Sequence, residues 1–406
     1  MNSNFSKYKC DILVIGGGIT GLSVGIALLE SKRNLKVIIV EKESLLGEHA
    51  SSRNSGVLHA GFYYSPGSLK AKFCRDGNLE MRKMAKNLGL PLRQTGKIVV
   101  TRNESEISSL MNLINRAEIN GVNLELLKSS KLKQIEPLAR THDVFAWSPN
   151  TSVTEPKSFV RAFEDRFKKL GGIIHLRTLV GLSELGNEIV ELSNKYHAKF
   201  YINSGGTRSS EIAHKCGAGL DYSSLPFLGL YRITQGSKLP LKTLVYPVPH
   251  PVNPFLGVHF TVTVDGKTKL GPTALPVPGL EFYSLRSNLK FREVFETGKS
   301  FFSLIKHKEH NFAEIIKKEF PKIFEKSIVY NGAQLVPAAL QVTNWEKAKP
   351  GIRAQLVKLS TGQLTQDFIL EKHLNSLHVL NNVSPGWTSA LPFGRHIADL
   401  VIRSDF

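Results

Sequence analysis

Apolar and polar positions follow two rhythms along this chain. Residues 11–15, "DILVI", form a solid apolar run and predict a buried strand. From Thr20 to Ser31 the spacing becomes helical, with Leu22, Ile26 and Leu29 on one side, and "KVIIVE" (36–41) predicts a second buried strand. Amphipathic spacing predicts further helices over 68–89, 104–121 and 155–172, the last stopped by Gly171-Gly172. "TGKIVVTRN" (95–103), "IIHLRTLVGL" (173–182) and "HAKFYINSGG" (197–206) read as strands.

The pattern changes between about 222 and 340. "LPFLGLYRIT", "KTLVYPVP", "GVHFTVTV" and "KTKLGPTA" are short runs punctuated by Pro and Gly, as in an antiparallel sheet, and a helical stretch follows over about 284–325. "LHVLNNV" (377–383) predicts a last strand, and "SPGWTSALPFGRHIADLVIRS" turns into a helix, with Pro392 expected to bend or delay it. The expected architecture is α/β: a Rossmann-type dinucleotide domain with a discontinuous α+β domain built on an antiparallel sheet. Residues 1–90, 150–220 and 341–406 are assigned to the first, and 91–149 and 221–340 to the second.

Composition adds limits. The 406 residues are 41% hydrophobic and 21% charged, an ordinary globular balance. The net charge of +19 favours anionic substrates and permits peripheral contact with an anionic membrane. Lys and Arg are spread without a dense tail, and no nucleic-acid motif is present, so no nucleic-acid partner is expected. Cys10, Cys74 and Cys216 form no short-spaced ligand pair, which predicts a reducing compartment and no structural metal. The glycine-broken run 12–29 is not a signal peptide, and no segment of about 20 apolar residues suits a membrane span. The expected location is therefore cytoplasmic, with room for attachment to the inner membrane face.

Between the first strand and helix stands Gly16-x-Gly18-x-x-Gly21, with Glu41 closing the second strand. Such glycines permit a tight turn, close approach of backbone to pyrophosphate and close helix–strand packing. The helix N-terminus suits phosphate, and the acid suits ribose hydroxyls. The motif alone does not choose NAD or FAD. "HASSRNSGVLHAGFYY" (49–64) favours FAD, because its small residues suit a backbone lying along an extended cofactor, with Arg53 placed to neutralise pyrophosphate and His59 arriving near the flavin ring.

The stretch 49–74, "HASSRNSGVLHAGFYYSPGSLKAKFC", resembles the L-2-hydroxyglutarate dehydrogenase/oxidase family, among the D-amino-acid-oxidase-like FAD oxidoreductases. The resemblance recurs at 246–274, in "KPGIRAQLV" (349–357) and in "SPGWTSALPFGRHIAD" (384–399). It implies an FAD enzyme that oxidises a 2-hydroxy acid, L-2-hydroxyglutarate foremost, to the 2-oxo acid, by hydride transfer to flavin N5. The implied FAD contacts are Gly16, Gly18, Gly21, Glu41, Lys42, Ser52, Arg53, Asn54, Ser55, Val180, Gly205, Gly206, Gly386, Thr388 and Ser389. His59 is the expected base or flavin-side orienter, His259 the alternative base, Arg353 the carboxylate clamp and Tyr246 a further hydrogen-bonding group. Lys70 and Lys72 are a solvated face or steer the substrate. The chain departs from the family at "PFLGLY", where Leu228 and Leu230 remove an expected arginine, and at the bulky Trp387. Two other readings stay open: an FAD oxidase of amino or imino acids, and a flavoprotein without catalysis. The electron acceptor is O2 or a membrane quinone.

Overall fold

The computed structural model describes residues 8–31, 34–180, 190–192, 196–249, 255–284, 286–307 and 312–403. At its centre lies the strand Tyr8–Ile15, whose apolar run pairs in parallel with Val37–Val40 on one side and Tyr196–Asn203 on the other. Ile173–His175 and Ser376–Val379 extend the parallel order outward, and Leu370–His373 closes one edge antiparallel. A parallel sheet must be covered on both faces, which is why its strands read as unbroken apolar runs. One face packs Ile12, Val14, Val37 and Ile39 against Leu22, Phe163 and Ile397 of three helices, and the other joins Leu13, Ile38 and Tyr201. The helix Ile19–Glu30 packs between Pro156–Lys169 and Ala390–Arg403.

An eight-stranded sheet forms the second centre. Its order is Glu346–Lys347, Arg232–Thr234, Thr268–Gly271, His259–Val262, Leu244–Pro247, Lys97–Val100, Val144–Ser148 and Glu125–Lys128. It is antiparallel as expected except where Leu244–Pro247 meets Lys97–Val100 in parallel. Side chains alternate across a sheet with period two. Ile98, Val100, Val245, Phe260 and Val262 therefore face a core with Ile328, Leu335 and Val336, while Lys97, Val99, Leu244, Tyr246 and His259 share the opposite face.

A four-stranded sheet links the two expected domains. Tyr222–Gly229 pairs antiparallel with Gly351–Lys358 along eight residues, so the 351–358 segment sides with 222–229 rather than with the dinucleotide sheet.

Several local expectations need correction. "LPFLGLYRIT" is not one strand: it ends at Gly229, and Arg232–Thr234 joins the other large sheet. The strand at 173 stops at His175, because Arg177 takes a left-handed conformation (φ 52°), and 181–189 lie outside the described residues. The 284–325 stretch contains separate helices, Phe291–Lys306 and Phe312–Glu319. Pro392 neither bends nor delays the last helix. It sits in the first turn, where its missing N–H leaves no helical bond unmade.

Candidate active site

The glycine turn is built by removing side chains. Gly16 adopts φ +100°, and a Cβ on it would stand 2.5 Å from the Ser204 carbonyl oxygen. A Cβ on Gly21 would lie 2.0 Å from the Gly16 carbonyl oxygen. The turn after Ile15 thus lies against the turn after Asn203, which carries Gly205 and Gly206, and Ser204 Oγ donates to the Ile15 carbonyl at 2.9 Å. Gly18 caps the following helix without a side chain, and Ser51 Oγ accepts the Ile19 N–H at 2.9 Å. Glu41 is buried and accepts the Gly17 N–H at 2.8 Å and the Glu43 N–H at 3.0 Å, one on each oxygen, which leaves lone pairs for ribose hydroxyls.

The segment 49–64 runs from this turn into the interior. Asn54 builds its bend, donating to the Ala50 and Ser51 carbonyls and accepting the Gly56 N–H at 2.7 Å. The Ser52 N–H is bonded to the His49 carbonyl, and Ser55 precedes Gly56 without a described bond of its own. Arg53, expected to counter the pyrophosphate charge, is held in place by two contacts. Its guanidinium stacks 4.2 Å from the Tyr283 ring centroid, and Nε donates to the Glu48 carbonyl at 2.9 Å. Lys42 is likewise engaged, by Glu43 and by Glu281 at 3.0 Å. Val180 is buried in the apolar cluster with Leu13 and Ile38.

The C-terminal turn closes over the same segment. Thr388 is buried, and its Oγ1 accepts the His59 backbone N–H at 3.1 Å. Gly386 packs so closely on Asn382 that a Cβ would meet Asn382 Oδ1 at 2.5 Å. Asn382 Oδ1, Trp387 Nε1 and Ser389 Oγ are buried without a hydrogen-bond partner. Orphaned polar atoms at a side-chain-free turn suit a polar ring system bound there. Trp387 itself packs edge-on against Phe159, 5.8 Å between ring centres. The residues present fit FAD.

Beyond His59 the surroundings change to a cluster of cations, with Lys70 and Lys97 buried and Arg353 half-buried. Lys97 is 0% exposed, and its Nζ lies 3.2 Å from His59 Nδ1 and 4.1 Å above the Tyr246 ring. Burial lowers its pKa to about 7. Tyr246 stacks on His259, 3.7 Å between ring centres. His259 Nδ1 is 2.8 Å from the Gly257 carbonyl, which can only accept, so Nδ1 carries the proton and Nε2 the lone pair. Burial holds His259 down to about 3 despite that bond. His59 is also held well below the usual imidazole range, by burial first and then by the charges of Lys97, His259 and Arg353.

Arg353 faces the same space with no hydrogen bond or ion pair to a described residue, its guanidinium 5.4 Å from the Phe255 ring centre. Its basicity is lowered by burial, and Tyr231, Tyr64 and Tyr246 are the neighbours that oppose the shift. Lys70 is buried at the start of the helix Leu69–Leu88, and its pKa falls to about 7 through burial and the charge of Arg353, with Asp367 opposing. It is not part of a solvated face, whereas Lys72 is exposed. Among the described residues, Lys70, Lys97 and Arg353 have no carboxylate within ion-pair distance.

A family model for FAD dependent oxidoreductases matches residues 11–400. The chain belongs to this family. It is an FAD-dependent oxidoreductase, with FAD as its cofactor. The mitochondrial L-2-hydroxyglutarate dehydrogenase of Caenorhabditis elegans is 33% identical over 97% of this chain and 94% of the relative, and that of Escherichia coli K12 is 31% identical over 96% and 93%. The resemblance seen in the sequence is thereby borne out. The fold matches a reduced L-alpha-glycerophosphate oxidase from Mycoplasma pneumoniae with FAD bound, at TM-score 0.75 and 22% identity over 97% of this chain and 95% of that one. The oxidoreductase assembles His59, Lys97, Tyr246, His259 and Arg353 from five separate segments of its chain. Lys97 was missed by sequence reasoning. Its signal was a lysine opening the apolar run "IVV", a position that reads equally well as a strand end at the surface.

The Leu228 departure also gains a physical account. Phe227 stands opposite Arg353 in the strand pair and Leu228 opposite Ile352, so Leu228 points to the other face of that sheet. There it packs with Leu275, Val277 and Ile352.

Proposed function

We propose that this oxidoreductase converts L-2-hydroxyglutarate to 2-oxoglutarate. The supporting observation is the cluster of Lys70, Lys97 and Arg353, none of them paired with a carboxylate among the described residues, which suits a substrate carrying two carboxylates. Relatives named L-2-hydroxyglutarate dehydrogenase, similar over nearly the whole chain, support the same reading. In this assignment Arg353 clamps the C1 carboxylate through its planar fork, and Lys70 meets the C5 carboxylate. Bringing an anion between Lys70 and Arg353 offsets the burial that lowers the basicity of both, and the Arg353 charge that adds to it at Lys70.

Bound FAD supplies the acceptor for the hydride that leaves C2. The hydroxyl proton goes to His59 Nε2. With Lys97 uncharged, His59 Nδ1–H can donate to Nζ, so a proton gained at Nε2 is balanced by one passed to Lys97. With Lys97 charged, Nζ can only donate, Nδ1 must accept and Nε2 carries a hydrogen, which removes the basic site. His259 Nε2 offers a second lone pair and is the alternative acceptor for the same proton. The two electrons then pass to O2 or to a quinone, which are separated by comparing turnover with each.

The test is anaerobic addition of L-2-hydroxyglutarate to the FAD-loaded protein. Loss of the oxidised flavin spectrum at stoichiometric substrate is expected. A flavin that stays oxidised with this acid, but is reduced by an amino acid, overturns the proposal.

A further inference from the structure

The helix Phe291–Lys306 is folded inside out. The residues it buries are chiefly polar: Glu293, Thr297, Ser300 and Ser303, with Leu304 as the one large apolar member. Glu293, Ser300 and Ser303 have partners inside. Glu293 accepts from Arg208 Nη2 at 2.7 Å and from the Leu280 N–H at 3.2 Å, and Ser303 Oγ donates to the Leu359 carbonyl at 2.8 Å. The opposite face is apolar and faces solvent: Phe291 is 87% exposed, Phe295 57%, Phe302 68% and Ile305 66%, with Val294 between them. At about 100° per residue these five fall within one stripe about 100° wide. A surface helix of a globular protein normally turns such a stripe to the core.

Charge selects what covers it. Lys290, Arg292, Lys299 and Lys306 border the stripe and are exposed. Both acids of the helix lie away from it: Glu293 is buried with Arg208, and Glu296 is paired with Lys299 at 3.0 Å. The next helix, Phe312–Glu319, shares an apolar cluster with Phe301 and Leu304 through Ile316, and it adds exposed Lys317, and Lys318 paired with Glu314. Farther along the chain Phe320 and Phe324 are also exposed. An apolar stripe rimmed by lysines, on a chain of net charge +19, matches the headgroup layer of an acidic bilayer: rings enter the acyl boundary and ammonium groups meet phosphates.

We infer that the 291–306 helix is a membrane-docking element that lays Phe291, Phe295, Phe302 and Ile305 into the surface of an anionic bilayer. This assignment stands independently of the substrate. It is tested by co-sedimentation of the FAD-loaded protein with vesicles of phosphatidylcholine alone and of phosphatidylcholine mixed with phosphatidylglycerol. Binding to the mixed vesicles, weakened by added salt, is expected. The double variant Phe295→Ser/Phe302→Ser should lower partitioning by roughly tenfold or more, and Lys290→Glu/Lys306→Glu should abolish the preference for acidic lipid, while both keep the flavin spectrum and substrate reduction of the parent. Wild-type protein that leaves both vesicle types in the pellet unaccompanied overturns the inference, as does binding that the Phe variants do not change. A serine variant that instead turns an oligomer into a monomer, with no vesicle binding by the parent, identifies the face as a contact between copies and overturns it too.

Discussion

The glycine turns at Gly16 and Gly205 and the cation chamber at Lys97 lie at opposite ends of the 49–64 segment, and they are made in opposite ways. The turns bring backbone against backbone by omitting side chains, so their only charged group, Glu41, is tied to two N–H donors. The chamber does the reverse: it packs long ionisable side chains under aromatic rings and leaves their charges unanswered. The first arrangement leaves the Glu41 charge hydrogen-bonded. In the second, burial pushes two lysines down to about 7, which is a cost in stability that an anionic ligand offsets. Cofactor binding and substrate binding therefore answer to different physics in this protein, and they can be broken separately.

The largest effect is expected at the turn. In Gly21→Ala the new Cβ meets a backbone oxygen at 2.0 Å, with no flexible side chain to yield. The expected outcome is protein purified without flavin, read from the absorption spectrum, together with a lowered melting temperature. Arg353→Met comes next. It should retain FAD but bind L-2-hydroxyglutarate roughly 100-fold more weakly, measured as the substrate dependence of anaerobic flavin reduction.

The pH dependence sharpens the comparison further. Lys97 loses its charge as pH rises through about 7, so the limiting rate of flavin reduction should rise across that range. Lys97→Met should remove that rise, leaving FAD binding unchanged. Lys70 also loses its charge near 7, so affinity for the dicarboxylate should fall as the rate rises. The smallest effect concerns stability. A lysine whose folded pKa lies below its unfolded one holds fewer protons in the native state between about 7 and 10.5, so its destabilising effect is full below 7 and fades as pH rises through that window. Lys97→Met should be more stable than the parent by roughly 1–4 kcal/mol at pH 6, the difference shrinking toward pH 10.

The dinucleotide half was legible because its information is local. Gly16, Gly18, Gly21 and Glu41 stand at fixed offsets from an apolar strand, and each offset has one geometric reason. The chamber was legible only through resemblance. His59, Tyr246, His259 and Arg353 come from different elements, and no spacing in the chain announces that they meet. Lys97 escaped notice because burial of a lysine is decided by sheet register: two residues along the strand from Val99, it faces Tyr246 only once Leu244–Pro247 has docked in parallel. Arg53 had a second partner that the sequence did not announce: its guanidinium stacks on Tyr283, more than two hundred residues later. The split of 225–234 into two sheets was equally hidden, since Leu230 and Tyr231 interrupt no apolar pattern.

The most direct test of the dicarboxylate chamber is stopped-flow anaerobic reduction of the FAD-loaded protein by L-2-hydroxyglutarate and by L-2-hydroxybutyrate, which lacks the second carboxylate, in the parent and in Lys70→Met. A second-carboxylate contact at Lys70 requires the parent to prefer the diacid, and the variant to lose roughly 10- to 100-fold of that preference while reacting with the monoacid as before. An equal preference in parent and variant would contradict it.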